Sequence, residues 1–337
     1  MSAPQTIYDI ATRAGVGIAT VSRVLNGSSK VGPQTRRRVE LAMRELDYRP
    51  NRAARRLATG GPNRPRVAAL MPFFSASFYY AISRPLASGL SAADIDLVLC
   101  NVASRTDKQR FLDRIVAERS AEGVVLGSMG IGPDRHAELR RLGIPVVSIE
   151  FPLPGIPTVS VDNLKGGALA ARHLVAGGAK RLGFIGGPVL AIPFRLREDG
   201  FRSVAGDDAP IERAAEVSPA AGAKATAALI QADPTIDGVV CVNDLLAVGA
   251  LEELARRKRR VPEDVQVIGF DDLPLMDVLG LTTVRQPMSE FGDWAARAIA
   301  ARIAQPSVAV ASQELGLTLI PRRTSRTAAK TRKRQVR

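Results

Sequence analysis

The chain has 337 residues, with 47 Lys plus Arg against 33 Asp plus Glu for a formal net charge of +14. At 46% hydrophobic residues it can fill the cores of about two to three domains, which excludes a disordered polyelectrolyte. No apolar run approaches a membrane span and the first residues, MSAPQTIYDIATR, lack an apolar signal segment, so a cytoplasmic protein with no membrane partner is expected.

The stretch from Thr6 to Ser28, TIYDIATRAGVGIATVSRVLNGS, predicts two short helices joined by a tight turn. Thr6 and Asp9 have the spacing of a capping box at the first helix start. Ile7, Ile10, Ala11 and Ala14 then share one face, and Gly15 ends the helix. In the second helix Val21, Val24 and Leu25 share a buried face, which turns Ile18, Ala19, Ser22 and Arg23 outward, where a recognition helix meets base edges. An ordinary helical hairpin with a solvated Arg23 satisfies these two helices taken alone. A third helix, opened by Gly32 and Pro33, is expected to bury Val39, Leu41, Ala42 and Leu46 and to expose Arg36, Arg37 and Arg38 in its first turns. Positive charge there opposes the helix dipole and suits phosphates, which favours a DNA-binding head.

The charge is concentrated at the two ends. Residues 1–60 hold 11 basic and 4 acidic side chains, residues 322–337 hold 8 basic and no acidic ones, and the stretch between holds 28 and 29. This distribution describes a nucleic-acid head and a basic tail on a neutral body. The tail suggests added nonspecific DNA affinity, a solubilising end being the alternative.

Residues 49–66, RPNRAARRLATGGPNRPR, link head and body. Asn51 is a good N-cap and Gly60 and Gly61 end the run, but a helix of two turns is too short to stand alone in water. It should form only against a partner: Arg52, Arg55 and Arg56 offer charge to phosphates, and Leu57 can wedge into a minor groove. A basic linker without structure is the alternative.

From Val67 onward, apolar runs alternate with amphipathic stretches. VAALM, IDLVLCNV, GVVLG and PVVSIE form one strand series and RLGFIGG, DGVVCVND and VQVIGFDD a second, each interleaved with helical patterns. The pattern predicts two doubly wound parallel-sheet lobes with a cleft at the carboxyl ends of the strands. Those ends carry Asn101, Glu150, Asp162, Asn243, Asp244, Asp271 and Asp272, and Arg195 and Arg197 open the helix after GFIGGP. Such groups over an aromatic floor of Phe73, Phe74 and Tyr79 suit a polyhydroxylated ligand such as a sugar, although helix capping would also account for Asp162 and Glu150.

GSMGIGPDR lacks the GxGxxG spacing, and the chain has no GxxxxGK[ST], HExxH or GxSxG string. No catalytic residues and no cofactor are therefore expected. Cys100 and Cys241 sit in apolar runs and read as buried reduced thiols, and His136 and His173 have no metal-ligand spacing, so no metal is expected.

Taken together, TIYDIATRAGV, ATVSRVLNG, TRRRVELAMRELDYRPNRAARRLATG, VSVDN, GFIGGP, CVNDLLAVGAL, VPEDVQVIGFDD and LTTVRQP resemble the LacI family (LacI/GalR type) of bacterial transcriptional regulators up to about residue 323. The resemblance implies an all-α helix-turn-helix head over 1–50, a hinge helix over 51–60, and a periplasmic-binding-protein-like body over 61–321. Within the body, lobe one would take about 66–161 and 289–321 and lobe two about 162–288, with a basic tail over 322–337. It implies DNA contacts from Thr6, Tyr8, Ile18, Ala19, Thr20, Ser22, Arg23 and Asn26, and from Asn51, Arg52, Ala54, Arg55 and Leu57 of the hinge. The ligand would meet Phe73, Tyr79, Tyr80, Glu150, Arg195, Arg197, Asn243, Asp244 and Asp271.

The function implied is a repressor of carbohydrate genes, a homodimer on double-stranded DNA of pseudo-palindromic sequence, released or retained by a sugar. A purine or sugar-phosphate corepressor is the alternative, and a sugar transport protein or an enzyme on the same body fold a distant one. The sequence departs from the family's pattern in places. Gly17 and Gly32 stand where serines usually open helices, and Glu150 replaces a more usual aspartate. Arg256 to Arg260 form a basic run at a helix end, read as solvated charge, and the C-terminal segment lacks leucine heptads, so a dimer rather than a tetramer is expected.

Overall fold

The computed structural model describes residues 6–25, 30–46, 64–72, 76–188 and 192–327. The expected hinge, with Asn51, Arg52, Ala54, Arg55 and Leu57, lies outside these residues, as do Asn26, Phe73, Phe74 and the chain beyond 327.

Three helices, α1 (Ile7–Ala14), α2 (Ile18–Leu25) and α3 (Pro33–Glu45), form the head. Thr6 and Asp9 close the capping box: the Thr6 amide donates to Asp9 Oδ2 at 2.7 Å and the Asp9 amide to Thr6 Oγ1 at 3.4 Å. Ile10, Val21 and Val39, one from each helix, are fully buried at the centre. Two expectations for α3 fail. Leu41 is 58% exposed, because it sits two residues from Val39 and so falls well off the face shared by Val39, Ala42 and Leu46. Arg36 is half-buried rather than exposed; Arg37 and Arg38 are exposed as expected, and Arg38 Nη2 also donates to the carbonyls of Ala14 at 2.6 Å and Gly15 at 3.2 Å, satisfying the end of α1 where Gly15 adopts φ +61°.

Lobe one begins with β1 (Arg66–Met71), α4 (Ala76–Ala92), β2 (Asp96–Asn101), α5 (Arg105–Glu118), β3 (Gly123–Gly127), α6 (Pro133–Arg141), β4 (Val146–Ile149) and β5 (Thr158–Val161). Lobe two follows with α7 (Asn163–Ala176), β6 (Leu182–Gly186), α8 (Ile192–Ala205), β7 (Ile211–Arg213), α9 (Pro219–Ala232), β8 (Gly238–Cys241), α10 (Asp244–Arg256), β9 (Gln266–Asp271), α11 (Met276–Leu279) and β10 (Thr282–Arg285). The chain then returns through α12 (Met288–Ala304) and ends in β11 (Gln313–Leu315) and β12 (Thr318–Ile320). The sheet orders are β11-β5-β4-β3-β1-β2, parallel throughout, and β12-β10-β9-β8-β6-β7, parallel except for β12. Central strands read as unbroken apolar runs because helices cover both faces; β3 and β6 are buried along their whole length.

Three segments cross between the lobes: around Asp162, at Gln286 and Pro287, and at Gly316 and Leu317. The last crossing corrects the expectation that 289–321 belongs wholly to lobe one. β11 joins β5 of the first sheet, but β12 pairs antiparallel with β10 of the second, Thr283 opposite Ile320. The tail also starts later than residue 322. Thr324 O accepts from the Val267 amide at 2.8 Å, the Arg326 amide donates to Gln266 Oε1 at 2.8 Å, and Ser325 Oγ bonds His173 Nε2 at 2.7 Å, so these residues are part of lobe two.

The helix α12 has no counterpart in the strand and helix pattern read from the sequence. It buries Phe291, Trp294, Ala295 and Ile299 and packs closely against α4: a Cβ at Gly292 would lie 2.3 Å from the Ile82 carbonyl oxygen, and one at Gly89 2.6 Å from Ala296 Cβ. The basic run after α10 is held locally, Arg256 and Arg257 by Glu253 and Arg260 by Asp264. Cys100 and Cys241 are buried free thiols, and burial pushes both up.

Candidate nucleic-acid interface and ligand cleft

The head presents the outer face of α2. Ile18 is 41% exposed, Ala19 and Arg23 are exposed, and Thr20 and Ser22 are half-buried. Tyr8, on α1, is 65% exposed, while Thr6 is engaged in the cap. An Arg13–Glu45 ion pair at 2.5 Å ties α1 to α3. The surface is therefore one guanidinium on an otherwise apolar and hydroxyl-bearing helix, able to take a guanine edge through Arg23 and thymine methyls through Ile18 and Ala19.

In the body, the carboxyl ends of strands from both lobes face a cleft of about 940 Å³. Arg197 stands at its centre, buried, with only 2% of its surface exposed. Its Nε donates to Asn163 Oδ1 at 2.7 Å and its Nη1 to the Val242 carbonyl at 2.8 Å and Asp271 Oδ1 at 3.5 Å. The guanidinium carbon lies 3.7 Å from the centre of the Phe270 ring, a stacking contact that fixes its plane. Nη2 points toward Glu150 Oε1 at 3.8 Å, a charge pair between the lobes.

Glu150 is itself positioned by a chain of hydroxyls: Tyr79 donates to Ser128 Oγ at 2.6 Å, and Ser128 donates to Glu150 Oε2. On the other side Gln286, in the second crossover, donates through Nε2 to Asp271 Oδ1 at 2.8 Å. Ser128, Glu150 and Asp271 all have positive φ, at +49°, +65° and +114°. Such conformations persist where the surrounding structure over-determines them, and here they gather at the strand ends that form the cleft.

Burial governs the titration of these groups. It raises the Glu150 carboxyl, against the pull of Arg197, and raises Asp271 to about 7, again against Arg197 and Gln286. It lifts the Tyr79 phenol well above its usual range and lowers Arg197. Two buried polar atoms lining the cleft have no hydrogen-bond partner among the described residues. They are Asn243 Nδ2, whose companion Oδ1 caps α10 through the Leu246 amide at 3.1 Å, and Gln286 Oε1.

Tyr79, Glu150, Arg197, Asn243 and Asp271 thus come together in the cleft as expected, and other expected residues do not. Tyr80 is 70% exposed, and Arg195 is exposed at a separate small pocket. Asp244 is fully buried behind the cleft, where Oδ2 accepts from the Leu273 amide at 2.8 Å and Oδ1 from Thr283 Oγ1 at 2.6 Å; burial and the neighbouring Asp271 raise its carboxyl. Asp162 caps α7 and Asp272 pairs with Arg285 and Arg322, both structural roles. With Phe73 outside the described residues, the apolar lining comes from Phe78, Phe151 and Phe194. Sequence reasoning passed over Ser128 and Gln286, although both follow directly from strand ends, GVVLGS and TTVRQ.

A three-helix head with an exposed second helix, carried with two α/β lobes whose strand ends meet in a polar cleft, defines the class of ligand-responsive DNA-binding regulators. Residues 6–51 match the model of bacterial regulatory proteins of the lacI family, and residues 171–325 match that of the periplasmic binding protein-like domain. A ribose operon repressor of Halalkalibacterium halodurans is 31% identical over 328 residues, covering 95% of this chain and 97% of that protein. The chain belongs to the lacI family of bacterial regulatory proteins.

Among solved structures, a complex of the transcriptional regulator CelR with cellobiose matches at a TM-score of 0.69 and 30% identity, over 95% of this chain and 99% of that one. The lac repressor dimer bound to operator and an anti-inducer matches at a TM-score of 0.69 and 25% identity, over 96% and 99%. Among the described residues no helix is long and apolar enough to cross a membrane.

Proposed function

We propose that the protein is a cytoplasmic transcriptional repressor of carbohydrate-metabolism genes, without catalytic activity, whose affinity for a pseudo-palindromic operator is controlled by a sugar in the cleft. The observation that carries this reading is the buried donor Asn243 Nδ2 and the buried acceptor Gln286 Oε1, both without partners among the described residues and beside the carboxyl groups of Glu150 and Asp271. A hydroxyl both donates and accepts, so a polyol satisfies such atoms at once, whereas leaving each unpaired costs about 1 to 3 kcal/mol. The names of the relatives, a ribose operon repressor and a cellobiose-bound regulator, support the same ligand class.

Two copies are needed to read a pseudo-palindrome. The lac repressor relative is a dimer, and this body exposes apolar side chains suited to pairing, Val98 and Leu99 on the edge strand β2 and Leu275 and Val278 around α11. On DNA, Arg23 takes a guanine, Ile18 and Ala19 meet methyl groups, and the segment from Asn51 to Ala58 folds as a hinge helix with Leu57 wedged at the operator centre. Ligand between the lobes moves lobe one against lobe two and so changes the spacing at which the two hinge segments leave lobe one. A coupling of about 1 to 3 kcal/mol is typical of such linkage.

The test is a thermal-shift screen of the full chain against mono- and disaccharides, followed by operator binding in the presence of each hit. A sugar that raises Tm and changes operator affinity is the expected result. Sugars that leave Tm unmoved, or that bind without effect on DNA affinity, would remove this reading.

A further inference from the structure

Resting on the sugar reading above, we infer that the inner cleft selects an uncharged sugar and rejects phosphorylated and carboxylated counterparts, with Glu150 as the residue that sets the choice. The hydrogen-bonding inventory is the first ground. Among the described residues around Arg197, the Glu150 and Asp271 carboxyl groups and Gln286 Oε1 offer acceptors, and Asn243 Nδ2 and Arg197 Nη2 offer donors. A ligand that complements this set must bring protons to the acceptors. Hydroxyl groups bring a proton to each acceptor and a lone pair to each donor, whereas an oxyanion brings no proton.

The second ground is the state of Arg197. An arginine that clamps phosphate needs two parallel N–H groups aimed at it. Here Nε is used by Asn163 and Nη1 by the Val242 carbonyl and Asp271, and one face is covered by Phe270. Only Nη2 is loosely engaged, and it lies 3.8 Å from Glu150 Oε1, beyond direct hydrogen-bond reach. One hydroxyl placed there accepts from Nη2 and donates to Glu150. A phosphate or carboxylate oxygen in the same place accepts from Nη2 but meets the carboxylate with no proton between them.

Glu150 has little freedom to retreat, because its other oxygen is held by Ser128, itself fixed by the Tyr79 hydroxyl, and the residue is only 6% exposed. The remaining charges near the site do not reverse the balance. Lys108 turns its Nζ onto the Gly130 carbonyl at 2.7 Å, and Arg105 is exposed at the mouth of the cleft, where Glu216 of lobe two also lies.

Calorimetry on the full chain with matched pairs tests this: D-ribose and ribose 5-phosphate, D-glucose and glucose 6-phosphate, D-glucose and glucuronate. The expected result is a neutral member that binds, with its charged counterpart weaker by about tenfold or more, and a ratio that shrinks in Glu150→Gln. The wild-type ratio decides the ligand class even if that variant does not fold. Ser128→Ala then tests the positioning of Glu150, with weaker binding of the neutral sugar as the expected outcome. A charged counterpart that binds as tightly as the neutral sugar, including one whose phosphate is held at the mouth by Arg105, overturns the inference while leaving the sugar reading intact. So does a ratio that Glu150→Gln leaves unchanged. If no member of any pair binds and the wider screen of mono- and disaccharides also gives no hit, the sugar reading itself fails and the inference falls with it.

Discussion

At the scale of single residues, function rests on a few side chains whose chemistry has no substitute nearby. Arg23 is the only charged group on the exposed face of α2, so base discrimination depends on it. Arg23→Ala should weaken operator binding by about 1 to 3 kcal/mol while changing binding to random DNA much less, measured by competition at fixed salt. Equal losses on both would remove its role as base reader.

Asp271 offers a second prediction at this scale. Its folded-state pKa, about 7, lies above the unfolded value near 3.8, so the stability linked to it is fully present below the unfolded value and is lost as pH rises through 7. The Tm of the ligand-free protein should therefore fall between pH 5 and pH 8, and Asp271→Asn should flatten that fall. A wild-type profile with the same slope as the variant contradicts the assignment.

The same scale shows where sequence reasoning stops. Tyr79 and Tyr80 are adjacent and chemically alike, but a helix turns about 100° per residue, so Tyr79 enters the cleft and Tyr80 faces solvent. Arg195 and Arg197 part company for the same reason, as does Leu41 from Val39 in the head. Which member of such a pair points inward depends on how the helix is rotated against its neighbours, and no local pattern states that.

At the scale of elements, close approaches decide what each helix tolerates. The seam between α4 and α12 requires Gly292, since a Cβ there would meet the Ile82 carbonyl, a backbone atom that cannot move aside. Gly292→Ala should destabilise the body by about 1 to 3 kcal/mol in denaturant unfolding. An unchanged midpoint would mean that the seam opens more easily than its geometry suggests. The helix starts at Gly17 and Gly32 are different: among the described residues nothing lies within 4 Å of a Cβ at either position. Gly32→Ser should be accommodated and should add a few tenths of a kcal/mol to the stability of the head, because serine supplies the cap that α3 lacks.

At the scale of the whole molecule, the described chain enters lobe one and leaves lobe two at ends of the body that both face away from the cleft. The linker from the head enters lobe one at the start of β1, the end of the strand remote from the cleft. The C-terminal segment is bound at Gln266, the start of β9, which is the remote end of lobe two. This placement argues against the tail adding to the DNA contact made by its own head. Deleting residues 328–337 should leave the slope of log K against log salt for operator binding unchanged, and a slope reduced by several units would show that the tail does reach DNA.

Much of this architecture was legible in the chain itself. The capping box, the apolar period of α1 and α2, the alternation of apolar runs and amphipathic stretches, and the charge concentrated at both ends are local properties, and local physics fixes them. The three lobe crossings, the division of the C-terminal segment between two sheets, the capture of residues 322–326 by lobe two, and the use of Arg38 as a cap for α1 depend on contacts between residues far apart in sequence. The cleft shows both sides. Strand ends announce polar residues there, but only the packing of two lobes brings Glu150 to face Arg197, sets Asp271, 74 residues further on, against the same guanidinium, and leaves Asn243 and Gln286 each with an atom unpartnered among the described residues.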